Sequence, residues 1–238
     1  MNRLSRAVAL LVALVASAAH GEDLAALLAA ATSGARPTAT VRGDGELVTT
    51  SPDGSTRQRV AVLQRANGDL AIAVQPGDVR ALIPAAGTAL IASAGGGAEP
   101  FAADAPLAGS ELTREDLQPF DAARFGSPTI VDRGSAGTTV QLDPKDSQYT
   151  LMVITFAPTT HAPVKVMSYK DTLSNLLRMR RERGHVEVAG RWLPTEIISE
   201  NFPLKVTTTL TLQWKAVPDQ PGWFDAKAFA TQPALIAP

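Results

Sequence analysis

The chain has 238 residues, of which 45% are hydrophobic, 5% aromatic and 19% charged, with 18 Gly and 17 Pro; this turn-rich globular composition excludes disorder and collagen. Its 22 basic and 23 acidic residues leave a net charge of -1, so no global basic field exists to hold nucleic acid. The absence of cysteine excludes disulfides, thiolate metal sites, a cysteine nucleophile and a lipid-modified N-terminal cysteine.

Arg3 and Arg6 precede an unbroken apolar run, Ala7 to Ala16, and small residues follow at Ser17, Ala18 and Ala19. This is the order of a secretory signal peptide, with cleavage after Ala19 or after Gly21. The run is shorter than the roughly 20 residues that span a bilayer. Residues 1–21 are therefore expected to be removed, leaving 22–238 as a single exported, non-lipidated periplasmic domain. Asp23 is placed to cap a helix over Leu24 to Ala31, where Leu24, Leu27, Leu28 and Ala31 form one apolar stripe that Gly34 and Pro37 end.

Beyond this point the pattern changes to a period of two. Strands are expected at Thr38 to Thr50, Thr56 to Arg65 and Leu70 to Gln75, separated by the turn sequences Ser51-Pro-Asp-Gly-Ser55 and Asn67-Gly-Asp69. Gly87 to Ala105, containing Gly95 to Gly97, has little periodicity and reads as a mobile loop. Thr113 and Asp116 have capping-box spacing for a short helix whose Leu112 and Leu117 point inward. Further strands are expected at Thr138 to Leu142, Tyr149 to Phe156, Val164 to Tyr169, Leu176 to Val188 and Thr195 to Glu200. The last strand places Val206, Thr208, Leu210, Leu212 and Trp214 on one face and a polar row on the other, so one face is buried and one is wet. Tyr149 to Phe156 is apolar on both faces, with Leu151 and Val153 opposed to Met152, Ile154 and Phe156. That strand needs cover on both sides.

No nucleophile elbow, His-Glu-x-x-His motif, P-loop or calcium loop is present. His161 and His185 lie in turn-like segments and read as surface polar residues, while Glu115 and Asp116 suit helix capping better than acid-base work. Arg178, Arg180, Arg181 and Arg183 form the one dense charge run. They suit either a solvated edge hairpin or docking to an acidic protein surface or an anionic membrane face.

The segment Gly109-Ser-Glu-Leu-Thr-Arg-Glu-Asp-Leu117 resembles the Gly-Ser-Asp-Phe-Ser-Tyr-Glu-Asp-Leu motif of LolA-like outer-membrane lipoprotein-sorting proteins. The later order is similar too: Asp143-Pro-Lys-Asp146, Pro163-Val-Lys-Val166, Gly190-Arg-Trp-Leu-Pro194, Thr207-Thr-Thr-Leu210, then Trp223-Phe-Asp and Phe229. Leu112 stands where the motif has Phe, Arg114 where it has an aromatic residue, and the arginine run is not a family hallmark. The resemblance is thus to the broad group and not to the classical carrier. It implies a mainly β fold, one strongly curved antiparallel sheet forming an incomplete barrel, with short helices over a concave apolar face that accepts acyl chains.

Such a protein is a carrier or chaperone rather than an enzyme, needs no cofactor, and takes a lipid or lipoprotein as cargo. Its partners would be an inner-membrane transporter and an outer-membrane acceptor. The alternative is a non-catalytic accessory subunit of a membrane lipid transporter, with the arginine run as its docking surface. On strand parity the cavity lining is expected to be Met152, Ile154, Phe156, Val206, Leu210, Leu212 and Trp214. Leu112 and Leu117 are expected to act as a lid.

Overall fold

The computed structural model describes residues 23–93, 95–227 and 229; the expected signal peptide and its cleavage site lie outside them. Asp23 caps α1 (Leu24–Gly34), its carboxylate accepting from the Ala25 amide at 3.0 Å. A first meander follows through β1 (Val41–Ser51), β2 (Gly54–Gln64), β3 (Leu70–Gln75), β4 (Val79–Ile83), β5 (Leu90–Ala92) and β6 (Glu99–Pro100). The chain then crosses to α2 (Arg114–Leu117) and a single 3-10 turn at Ala122–Arg124.

A second meander runs through β7 (Phe125–Gly134), β8 (Gly137–Pro144), β9 (Leu151–Phe156), β10 (Pro163–Tyr169) and β11 (Leu176–Arg183). A separate hairpin of β12 (Val186–Val188) and β13 (Arg191–Leu193) leads to β14 (Glu196–Asn201) and β15 (Val206–Ala216). β15 pairs antiparallel with β1 and β14 pairs with β11. The two meanders thereby join into one 13-stranded antiparallel sheet with β6 and β7 at its edges, not closed into a barrel. This is the mainly β, open curved sheet that the resemblance implied.

Several expectations are corrected. Gly87 to Ala105 is not a loop throughout: it carries β5 and β6, and buries Ala89, Ala92 and Phe101. Strands of two and three residues are too short to show an alternation, which is why the sequence pattern hides them. The strand expected at Leu176 to Val188 breaks at Gly184 and His185 into β11 and β12, and β11 is not an edge strand but lies between β14 and β10. β7, mostly exposed along its length, has no apolar face to read.

Register makes one face continuous across the sheet. Leu47 lies opposite Leu210, Leu210 opposite Ile197, and Ile197 opposite Glu182. On the next strands Arg180 faces Val166, Val166 faces Ile154 and Ile154 faces Val140. Because side chains alternate with period two, all these residues, with Met152, Phe156, Leu212 and Trp214, point to the same side. One core lies at the β1–β4 and β15 end of that side around Leu47, Val62, Ile72, Leu112, Leu210 and Leu212. A second lies at the β8–β10 end around Val140, Met152, Ile154 and Phe156, beneath Leu27, Leu28 and Ala31 of α1.

β9 is buried on its second face as well at Val153. The more extensive two-sided burial was not anticipated: Ala61, Leu63, Ala71, Ala73 and Leu82, on the opposite face of β2–β4, pack with Trp223, Phe224 and Phe229.

The β1–β15 seam depends on two glycines. The Trp214 ring lies against Gly43, and a Cβ built on Gly45 would sit 1.7 Å from the Thr211 carbonyl oxygen. Backbone cannot give way as a flexible side chain can, so Gly45→Ala is expected to destabilise the fold by about 1–3 kcal/mol or more. Urea unfolding measures this, and a variant as stable as the native chain would show that the seam relaxes freely.

Candidate functional site

A strap formed by residues 105–120 crosses the common face of the sheet. It is organised locally first. The Leu107 amide donates to the Leu112 carbonyl at 2.8 Å, and Pro106 bridges Thr113. Thr113 and Asp116 form the expected capping box, with the Thr113 amide 3.0 Å from the Asp116 carboxylate and the Asp116 amide 3.4 Å from the Thr113 hydroxyl.

Polar contacts then fasten the strap to the sheet. The Glu111 amide donates to the Thr208 hydroxyl at 2.8 Å, and Thr208 pairs with Thr49 at 3.0 Å. Arg178 binds both the Glu111 carboxylate and Asp116, the latter at 3.2 Å. It also donates to the Tyr149 hydroxyl at 3.3 Å. Asn201 donates to Glu111 at 2.8 Å. Arg180 donates to the Asp116 backbone carbonyl and pairs with Glu182 at 3.0 Å.

These contacts correct the reading of the arginine run. Arg178 and Arg180 retain only 10% and 13% of their side-chain surface and are unavailable to a macromolecular partner. Arg181 and Arg183 point to the other face, where they pair with Glu200 at 2.7 Å and Glu196 at 3.7 Å. Alternation along one strand divides the run into one inward pair and one outward pair. Burial by itself would push the Arg178 guanidinium down, but Asp116, Tyr149 and Glu111 together outweigh it and raise its pKa. Burial also raises the Tyr149 phenol, with the Asp116 charge acting in the same direction.

Between strap and sheet lies a narrow cavity of about 90 Å³. Leu112, Leu117, Pro119 and Phe120 line it from the strap, and Val62, Ile197, Leu210, Leu212 and Trp214 from the sheet. Gln64, Asp116, Arg180, Glu182 and Arg191 add polar groups to its wall. A smaller space of about 40 Å³ beside it is lined by Met152, Ile154, Val166, Phe120 and Phe125, and shares Asp116, Gln118, Phe120, Pro163 and Arg180 with the first. A larger depression of about 550 Å³ near Gly77 is bounded by Glu46, Arg57, Arg59 and Asp78; its polar, charged surround gives it no means of shielding an apolar ligand.

The structure therefore separates the residues assigned to one lining. Leu210, Leu212 and Trp214 line the main cavity, with the Trp214 indole donating to the Pro194 carbonyl at 2.8 Å. Met152 and Ile154 line the smaller space. Phe156 is fully buried and meets Phe120 edge-on at 5.1 Å. Val206 is half-buried beside Asn201 and lines neither space. Leu112 and Leu117 lie on the strap facing the cavity, Leu112 with 1% of its surface exposed.

Sequence reasoning missed Gln64, Glu182 and Arg191. Only Arg191 carried a signal, as part of Gly190-Arg-Trp-Leu-Pro194. His185 is not a surface residue; its side chain is largely buried 3.8 Å from Glu182. Among the described residues, no cluster of three or more His, Cys, Asp or Glu side chains is arranged to hold a metal ion. No described helix is long and apolar enough to cross a membrane.

No protein-family model matches the sequence, and no curated protein resembles it significantly. Solved structures show the same fold. A LolA superfamily protein from Nitrosomonas europaea is 15% identical with a TM-score of 0.69, the match covering 88% of this chain and 100% of the other. A domain from Vibrio parahaemolyticus assigned as an outer-membrane lipoprotein-sorting protein is 16% identical, with a TM-score of 0.68 over 84% and 97% of the two chains. A DUF1329 family protein from Desulfovibrio piger is 14% identical, with a TM-score of 0.72 over 87% and 99%. The fold is LolA-like.

Two predictions follow from the strap's anchors. Arg178→Met would leave Glu111 buried without its cation, and is expected to cost about 3–5 kcal/mol in urea unfolding. Adding Glu111→Gln is expected to recover much of that loss; a double variant no more stable than the single one would show that Arg178 acts through packing alone.

The second concerns Glu115, buried on α2, with the Ser147 hydroxyl donating to it at 2.9 Å and the Arg124 guanidinium forming an ion pair with it at 3.8 Å. Burial raises its pKa above the ordinary 4.5, with Ser147 and Arg124 opposing. The folded chain thus holds this proton where the unfolded chain has released it, and the group's contribution to stability falls as pH rises through that interval. The stability of Glu115→Gln relative to the native chain is therefore expected to rise as the pH is raised above the ordinary value of 4.5. A difference independent of pH would remove Glu115 as its source.

Proposed function

We propose that this chain, on the strength of its LolA-like fold and its strapped cavity, is a non-catalytic periplasmic carrier. It holds the acyl chains of a lipoprotein or another lipid and passes them from an inner-membrane donor to an outer-membrane acceptor. The observation that carries this reading is the apolar face of one continuous sheet, covered by a strap with an apolar-lined space beneath it. Each acyl methylene withdrawn from water contributes roughly 0.8 kcal/mol, so such a space retains a lipid without any reacting group. The relative from Vibrio parahaemolyticus, assigned to lipoprotein sorting, supports the same class of cargo. Export rests on the signal-peptide pattern of the first 21 residues.

The cavity of about 90 Å³ is far below the roughly 300–1,000 Å³ of most ligand pockets. Cargo therefore enters by displacing the strap, with Leu112 and Leu117 as the lid surface. The strap is held to the sheet by polar contacts to Arg178, Arg180 and Thr208 and by the buried side chains of Leu107 and Leu112, and these contacts re-form once the lid has moved. The accessory-subunit alternative loses support, because two of the four arginines that motivated it are inside the fold.

Native mass spectrometry of the chain recovered from the periplasm of its own host is expected to show bound lipid. Leu117→Trp, which fills the cavity from the strap side, is expected to remain folded and to lose that lipid. A chain that is reproducibly empty and takes up no acyl probe would overturn the carrier reading, as would a folded Leu117→Trp variant that binds as well as the native protein.

A further inference from the structure

Arg191 is a cation without an anion. Its backbone pairs with Val188 in the β12–β13 hairpin, and its side chain donates through Nη1 to Oε1 of Gln64, which is itself 2% exposed on β2. Its Nε is buried and has no hydrogen-bond partner, and among the described residues no carboxylate is in ion-pair contact with the side chain. Glu182 is the acidic group acting on it, but Glu182 is engaged by Arg180 at 3.0 Å and lies 3.8 Å from His185. Burial pushes the Arg191 guanidinium down to about 10, with Glu182 opposing only in part. A half-buried guanidinium with no carboxylate in ion-pair contact and an unpartnered Nε keeps hydrogen-bonding capacity that an anion can take up.

The location of this cation gives it a use. Arg191 lines the main cavity together with Arg180, whose Nε is also buried and unpartnered. The adjacent Trp192 lines the same cavity and is 40% exposed, which places the opening to solvent beside Arg191. The rest of the wall is mainly apolar, with Leu117, Leu193, Leu212 and Trp214, and the two carboxylates that also face it, Asp116 and Glu182, are already paired with Arg178 and Arg180. A guanidinium at the mouth of an apolar slot matches a molecule with an anionic head and a hydrocarbon tail. Its planar fork offers two parallel hydrogen bonds to a carboxylate or phosphate. An uncharged lipid would leave the cation as it is.

We infer that the cavity selects anionic amphiphiles, with the carboxylate or phosphate head received by Arg191 at the mouth and the acyl chain lying along Leu117, Leu212 and Trp214. This inference rests on the carrier reading and narrows its cargo.

The test uses the delipidated mature chain with palmitate, hexadecyl phosphate and methyl palmitate, read by tryptophan fluorescence and by native mass spectrometry. Trp192 and Trp214 line the cavity, whereas Trp223 lies in the cluster on the opposite face of the sheet. At least one of the two anions is expected to bind about tenfold to hundredfold tighter than the ester, the range of a charge-assisted hydrogen bond. The comparison of palmitate with hexadecyl phosphate identifies which head the site prefers. Arg191→Gln is expected to bring the anion to the affinity of the ester while leaving the ester unchanged, and Arg191→Lys to restore part of the preference.

Equal affinity for anions and ester in the native chain overturns the inference and leaves the carrier reading standing. Binding of none of the three overturns both. A folded Arg191→Gln chain that loses anion and ester alike shows a wall residue rather than a head-group site, and also overturns the inference.

Discussion

The pairing of Arg178 and Arg180 with the strap carboxylates at Glu111 and Asp116 is the interaction on which the rest of the site depends. A sheet that is apolar across one face needs a cover, and the cover supplied here is mostly irregular backbone. Irregular backbone leaves amide and carbonyl groups that must find partners when buried. Thr208 and the two arginines supply them from the sheet, and the capping box supplies them from within the strap. The result is a row of charge across the middle of an otherwise apolar face. It divides that face into one core under α1 and another under the strap.

The two halves of the sheet are held in different ways. β2, β3 and β4 bury apolar side chains on both faces, the outer one under Phe224 and Phe229, with Arg65 stacked 4.2 Å above the Phe224 ring and Arg80 donating to the Phe229 carbonyl. Small alanines on the outer face allow those aromatic rings to sit close. The strap side combines the buried Leu107 and Leu112 with many polar contacts to the sheet. A carrier of acyl chains, as proposed, needs the strap to move off the sheet and enlarge the space of about 90 Å³ beneath it.

The outward and inward arginines show how much one local pattern leaves undecided. Four arginines in six residues look like a surface, and half of them are. Arg178 and Arg180 share parity with Val166 and Ile154 through the sheet register, so they belong to the side that the strap covers. Neither the partners nor the burial of these side chains is visible along the chain, because Glu111 and Asp116 lie more than 60 residues away in sequence. Arg191 is a harder case still, since its meaning lies in a missing partner. β4, β5, β6 and β7 went unread for a simpler reason: short or two-sidedly exposed strands carry no alternation.

The sequence by itself determined what short-range chemistry can determine: the capped helix after Asp23, the two-residue hairpin turn before Gly54, the Thr113–Asp116 capping box, and which side chains share a face along β9 and β15. Those features depend on neighbours a few residues apart or on the period-two geometry of an extended chain. The ordered motifs from Gly109 onward also carried the fold family. Only the tertiary structure decided which strands adjoin, that β15 closes onto β1, and that the strap crosses the face at Arg178 and Arg180. It also decided that Met152, Ile154 and Phe156 lie under a different roof from Leu210, Leu212 and Trp214. Parity assigns a residue to a side of the sheet, whereas its neighbours on that side are set by register and by what lies across it, and both are long-range contacts.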